Sequence, residues 1–408
     1  MIDICRNKDI WKKIFIGIIV SLSISPSFAT SDLDNRNFLL IGCMCLGPII
    51  FLYLRKVIWK IDKYIIILIG MIFITQTIFN FTSIRITSIL FSIMFFIYYL
   101  IAIRTALIAQ INYSNMCMIT KYLIYAYFIV LLIQQFCVLL GLPVFNQLNA
   151  LENPWKLNSL SAEPSHTSRY VGILMYSFLV FQDKIKKYRI NFRDSYKENK
   201  KIWIAFFWIM FTTVSGTAFI VVVLILSRYL THKNIVIAVG LLFIVFTIGV
   251  SSDITALRRA TLFLSAVATG NAEAMIGADH SASVRIVPWM LCIQRINPFS
   301  LNGWIGEGGG STAAWLYQYM PGVREGFIGG GMAAYTLEYG LLVGLLFLYF
   351  SLRCCYDKKY KISTIGLWIM CVVLIGVNSQ IGWLCILMLY LDKNLYVTNA
   401  NKSILRLA

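Results

Sequence analysis

Histidine occurs three times in this chain, and acidic residues 18 times against 36 Lys and Arg. The three histidines (His166, His232, His280) are far apart in the chain. Asp279-His280 offers two adjacent ligand types without a third at suitable spacing, so no metal is expected. Charged residues are only 13% of the 408 positions and hydrophobic ones 59%, at a mean hydropathy of +0.75, which excludes an ordinary soluble domain. The cysteines form no framework. Most lie in apolar runs or basic segments, and only Cys292 falls in a long polar loop, so no disulfide scaffold follows. Trp304-Ile-Gly306-Glu307-Gly-Gly-Gly310 is glycine-rich but lacks the lysine and the strand–loop–helix setting of a nucleotide loop. No inverted repeat of the kind many transporters carry relates the two halves.

What the chain does have is a succession of apolar runs separated by basic turns. The first, Ile14 to Ile24, follows Arg6, Lys8, Lys12 and Lys13. With Ser27-Phe28-Ala29 behind it, this run has the form of a signal peptide, but the spans that follow favour an uncleaved first helix. Further spans are expected at about 38–54, 64–81, 86–103, 121–142 and 164–182. Ile202 to Leu230 reads as two short spans turning at Ser215-Gly216-Thr217, because that keeps Arg228, His232 and Lys233 on the basic side. Spans at about 235–250 and 328–352 follow, and Ile362 to Leu391 forms a second short pair turning at Asn378-Ser379-Gln380. The sum is an all-α polytopic membrane protein of about twelve helices in one membrane domain, residues 1–408. It has a basic cytoplasmic loop (183–201) and two large exported loops (143–163 and 251–327).

Charge distribution sets the orientation. Of the 36 Lys and Arg, 27 fall in segments on one side, while the other side with its spans carries 9 against 10 Asp and Glu. This is the positive-inside pattern, so the net charge of +18 encodes orientation and does not call for a nucleic-acid partner. Both termini are expected in the cytoplasm.

The strongest site candidate is Ser159-Leu-Ser-Ala-Glu163-Pro164-Ser165-His166-Thr167-Ser168-Arg169. Pro164 favours a first helical turn, Glu163 lies at its mouth, and His166 and Arg169 are three apart on one face. Ionisable residues at the rim of a span mark a functional site more readily than a capping motif, although a polar helix start with Arg169 reaching outward is the simpler alternative. Glu163 or His166 can take a proton from a sugar hydroxyl, with one argument against Glu163: a helix N-terminus lowers a carboxylate's basicity. The second exported loop bears Arg258, Arg259, Arg285, Arg295 and Arg324 and no lysine, which suits bidentate recognition of phosphate oxygens. Ala256 to Gly270 reads as an interfacial amphipathic helix. Pro288 reads as the start of a short helix through Asn297, with Arg295 in its last turn.

Ser161-Ala-Glu163-Pro164-Ser165-His166 entering a span, Ser283-Val-Arg285, Asn297-Pro298-Phe299 and Gly303-Trp-Ile-Gly306-Glu-Gly308 resemble, in order and loop placement, the bacterial O-antigen and capsular polysaccharide polymerases (Wzy-like). The resemblance covers roughly 159–310 and the topology. It implies a fold like the lipid-linked-sugar transferases (GT-C-like) in the bacterial inner membrane, with a periplasmic active face. It also implies transfer of a growing glycan from undecaprenyl pyrophosphate to another lipid-linked repeat unit. On this chain Arg169 and Arg285 would hold the pyrophosphate, with Arg258, Arg259 and Arg295 as further phosphate contacts, and Glu163 or His166 would assist the acceptor hydroxyl. No cofactor is implied. Partners are the lipid-linked oligosaccharide and the bilayer, with room for a chain-length regulator protein. The alternatives are a lipid-linked oligosaccharide flippase, an O-antigen ligase and a non-catalytic assembly subunit. The ligases resemble this chain less, because their important histidine lies late in the second loop, whereas His280 precedes Arg285.

Overall fold

The computed structural model describes residues 8–26, 28–29, 35–54, 62–79, 85–146, 154–213, 215–230, 262–263, 265–278, 280–321, 323, 325–327 and 329–395. The protein is helical. The described strand residues are confined to one two-residue antiparallel ladder, Phe28–Ala29 (β1) with Asn35–Arg36 (β2). Eleven of the twelve expected apolar segments lie in these residues and are helical, while the ninth, 235–250, lies outside them.

The first half is built from α1 (Lys8–Ser23), α2 (Phe38–Tyr53), α3 (Asp62–Ile74), α4 (Ile86–Ile108), α5 (Tyr113–Leu139) and α6 (Pro164–Lys186). A π-helical turn, Thr75–Phe79, extends α3. Two of these, Ile86–Ile108 and Tyr113–Leu139, are long and apolar enough to cross a membrane. The start of α5 differs from the expected one. It begins at Tyr113 instead of Lys121, because Asn112 and Asn115 form a reciprocal capping box that recruits two more turns. Asn37 caps α2 with a single bond, its side chain accepting from Leu40 N at 3.0 Å.

Helix α6 is the axis of the bundle: every residue from Thr167 to Phe181 is buried. Against it pack α5, α9 (Gly216–Ser227) and the last helix, α16 (Gln380–Asn394). Gly172 makes the α6–α9 approach possible, since a Cβ there would lie 2.6 Å from Val221 Cγ1.

Successive helices run between two chemically distinct ends. At one, Lys8 donates to Gln110 (3.1 Å), Arg353 to the Tyr64 hydroxyl (2.8 Å) and Lys393 to the Arg353 carbonyl (3.0 Å). At the other, Ser25 N donates to Leu160 O (3.0 Å) and Gly309 N to Gln76 Oε1 (2.7 Å). A short helix, α7 (Phe192–Glu198), lies at the basic end, and the turn expected at 215–217 is a true reversal. Helix α8 (Lys200–Thr212) climbs from Asn199, which bonds Gln182 at the foot of α6, to Thr213, whose hydroxyl lies 3.4 Å from that of Ser168. Helix α9 then descends until Arg228 pairs with Asp183. The second expected pair has the same form. Helix α15 (Lys361–Trp368) continues into a π-helical turn, Ile369–Val373, reverses at Gly376 (φ +90°) and returns as α16.

The second loop contributes α10 (Ala272–Ala278), α11 (His280–Arg295) and α12 (Leu301–Ile305). Of the interfacial helix expected over 256–270, residues 262–263 and 265–269 are helical and end at Gly270 (φ +67°). Pro288 does not open a helix. It lies inside α11, which starts eight residues earlier, so Arg285 and Arg295 share one rod. The span expected at 328–352 is also two helices, α13 (Gly331–Tyr339) and α14 (Leu341–Cys355). They break at Gly340 (φ +89°), where a Cβ would overlap the Trp304 carbonyl. Into that break the loop after α12 inserts its backbone: Glu307 N donates to Leu337 O (2.9 Å) and Gly308 N to Glu338 O (3.0 Å).

Candidate functional site

The approach to α6 is fixed before the helix starts. Ser159 has φ +51°, an uncommon setting for a residue with a Cβ. Three contacts hold it there. Its N–H donates to Gln134 Oε1 (2.8 Å), its hydroxyl to Tyr127 O (2.7 Å), and its carbonyl accepts from Asn146 Nδ2 (2.8 Å). Asn146 Nδ2 also reaches Ser161 O (3.0 Å), and Asn158 Nδ2 reaches Ala162 O (3.2 Å). Strain held this firmly at a helix mouth is characteristic of sites that must present side chains in one direction.

Pro164 stands at the start of α6 and Glu163 is its N-cap residue, with φ −141° and ψ 154°. The Glu163 side chain makes no capping hydrogen bond. It turns instead to its neighbours: Oε2 accepts from the Ser165 hydroxyl (3.0 Å), lies 3.5 Å from Arg285 Nη2, and 4.0 Å from His166 Nε2. Arg285 also donates to Ser165 Oγ at 3.2 Å. The arginine of the second loop therefore meets the motif of the first, 120 residues away. Burial pushes the Glu163 carboxyl up, but His166, Arg285, the Ser165 hydroxyl and Arg169 outweigh it and hold it below the ordinary glutamate value.

Beneath this group lies Arg169, only 3% exposed. Its Nε is buried and has no hydrogen-bond partner among the described residues. An arginine in that state is costly to keep, and an anion entering from the Glu163–Arg285 side would supply what it lacks. Along α6 the rise from His166 to Arg169 is roughly 4.5 Å, so one ligand can address both. His166 keeps a third of its side chain exposed (32%), so it remains reachable.

Of the other expected phosphate contacts, only Arg295 lies among the described residues, and it does not join this group. Arg258 and Arg259 lie outside the described residues, as do Arg324 and Asp279. Arg295 is ten residues from Arg285 on the same helix, roughly 15 Å along the axis. It donates instead to Glu307 Oε1 (2.8 Å) and stacks over Trp315 (4.7 Å). Among the described residues no cluster of three His, Cys, Asp or Glu could hold a metal. The sequence reading gave no role to Ser165, which links Glu163 to Arg285. It also missed Glu338, whose carboxylate accepts from the Thr312 hydroxyl and from Thr312 N (3.3 Å) and so fastens the glycine-rich loop. A lone acid followed by Tyr339-Gly340 inside an apolar run was the available signal.

Comparison of the chain with protein-family models, with curated proteins and with solved structures finds no match.

Proposed function

We propose that this chain is a multi-pass protein of the bacterial inner membrane that polymerises lipid-pyrophosphate-linked oligosaccharide repeat units at its periplasmic face. The observation that carries the reading is the buried Arg169 beneath the Glu163–Ser165–Arg285 group. It is a two-arginine anion site at a helix mouth, at the end of the bundle away from most of its cations.

The membrane setting is supported by the many large apolar side chains left exposed on the outer helices. Examples are Leu46 (57%), Leu52 (66%), Ile66 (59%) and Phe136 (61%). The short α8 and α9, of 13 and 12 residues, rise only about 20 Å each, so a bilayer must thin around them or neighbours must bury them.

In the reaction, the acceptor sugar's hydroxyl oxygen attacks C1 of the donor sugar. The C1–O bond to pyrophosphate breaks, and the lipid pyrophosphate departs with that electron pair. Arg169 and Arg285 neutralise the charge that builds on it. The hydroxyl proton passes to His166, whose side chain is partly exposed, because the Glu163 carboxylate is already engaged by Ser165 and Arg285.

The test is reconstitution of purified protein with lipid-linked repeat units. A ladder of lipid-linked polymer is expected, lost in Arg169→Ala and Arg285→Ala at unchanged protein levels. Transport of the lipid without polymer would replace this reading with the flippase.

A further inference from the structure

A second site lies apart from Arg169. It is a cleft of about 680 Å³ lined by Arg85, Arg295, Asn302, Glu307, Ser311 and Trp315, among others. That volume is in the range of small-molecule sites.

Arg295 is held there on two sides, its Nε donating to Glu307 (2.8 Å) and its guanidinium carbon lying over the Trp315 ring at 4.7 Å from the centre. Its two Nη groups donate to no other described residue. Arg85 brings a second guanidinium from the residue before α4, and it forms no ion pair among the described residues. Gly310 lets the loop close over that side chain. It has φ +86°, and a Cβ on it would lie 2.8 Å from Arg85 Cδ.

Two arginines and one glutamate line the cleft, and the Glu338 carboxylate at Thr312 acts on Arg85 from behind the wall, so the positive charge left to a ligand is small. A planar fork with both Nη groups presented matches a carboxylate bidentately. The wall's own carboxylate disfavours the second charge of a phosphate ester. The cleft is also larger than a bare carboxylate requires, and Asn302 adds an amide suited to hydroxyl groups.

We propose that this cleft binds a carboxylate-bearing sugar of a glycan, a uronic-acid type of residue, with its carboxylate on the Arg295 fork and Arg85 as the second contact. The inference rests on the reading of the protein as glycan-handling. It assigns the composition of the glycan, which the Arg169 site does not.

The test is saturation-transfer NMR on the full chain in nanodiscs. Its probes are a glucuronic-acid disaccharide and the same disaccharide with glucose in that place. Saturable binding of the acidic probe is expected, with the neutral one at least tenfold weaker. Arg295→Gln, Arg295→Lys and Arg85→Gln should each weaken the acidic probe about tenfold or more, and Arg169→Ala should leave it unchanged. If Arg295→Gln does not fold, Trp315→Leu, which keeps both charges but removes the stacking surface, must weaken binding in its place. Equal binding of the neutral probe overturns the inference. So does displacement by equimolar acetate or phosphate, or wild-type affinity in the arginine variants. Binding is read without turnover. Acid-selective binding without polymer therefore refutes only the polymerase reading, and polymer without acid selectivity refutes only this inference.

Discussion

Arg228, at the foot of α9, and Asp183, at the foot of α6, form an ion pair with side chains only 1% and 3% exposed. The Tyr360 hydroxyl donates to the same carboxylate oxygen, and its ring lies 4.8 Å from the Arg228 guanidinium carbon. Burial and Asp183 push that hydroxyl up, against the opposing pull of Arg228, so Tyr360 serves as a donor throughout the working pH range. The pair closes the α8–α9 hairpin onto the central helix.

Removing one partner leaves a buried charge uncompensated, which costs about 3–5 kcal/mol. Arg228→Gln should therefore lower the melting temperature of the solubilised protein markedly, while Arg228→Gln with Asp183→Asn recovers part of the loss. Equal melting of the single and double variants would show that the pair acts through packing alone.

Glu163 gives a pH dependence of definite sign. Its folded carboxyl lies below the ordinary value of about 4.3, so folding favours the ionised form. Its contribution is complete above that ordinary value and is lost as pH falls through the folded one. Wild type should exceed Glu163→Gln in stability at pH 7, and the gap should close as the solution is acidified below about 4. A gap that widens on acidification would reverse the assignment of the carboxylate.

For Arg169 the conservative change is the informative one. Lysine keeps the charge but not the planar fork, and losing one charge-assisted bond costs on the order of 1.5–3 kcal/mol. Turnover should fall roughly ten- to a hundred-fold in Arg169→Lys, and likewise in Arg285→Lys. Arg36→Lys, in the short strand β2 before α2, should be neutral. Polymer ladders with protein levels checked by immunoblot provide the measurement. Full activity in Arg169→Lys would make the residue a point charge only.

Gly340→Ala tests the docking of the second loop. The residue has φ +89°, and the added methyl would meet the Trp304 carbonyl. A cost of about 1–3 kcal/mol is expected from the backbone conformation alone. Limited proteolysis should then cut the 297–310 segment faster than in wild type, and unchanged cleavage would mean the loop is held elsewhere.

The two hairpins were readable in the sequence because a polar, glycine-containing or amide-bearing turn interrupts an otherwise apolar run. The break at Gly340 was not. Its flanks, Tyr339 and Leu341, are apolar, and the backbone partner that stabilises it comes from a loop more than thirty residues earlier. The Glu163–Arg169 group was readable from residue types at helical spacing. Which arginines of the second loop reach it depends on where α11 begins. With Pro288 taken as the helix start, Arg285 and Arg295 seemed free to converge, whereas one continuous rod holds them about 15 Å apart.

Gln76 holds the glycine-rich loop by Gly309, 233 positions later, and Gln380 reaches back to the Ser21 carbonyl across 359. Such contacts are out of reach while the chain is still being made. During synthesis Gln76 must wait for the loop at Gly309, Glu163 for Arg285, and the Ser21 carbonyl for Gln380 on α16. The Glu163–Ser165–Arg285 group therefore cannot assemble until the second loop has been made. A truncated or stalled chain would carry the Glu163 motif without ever forming the surface that Arg285 completes.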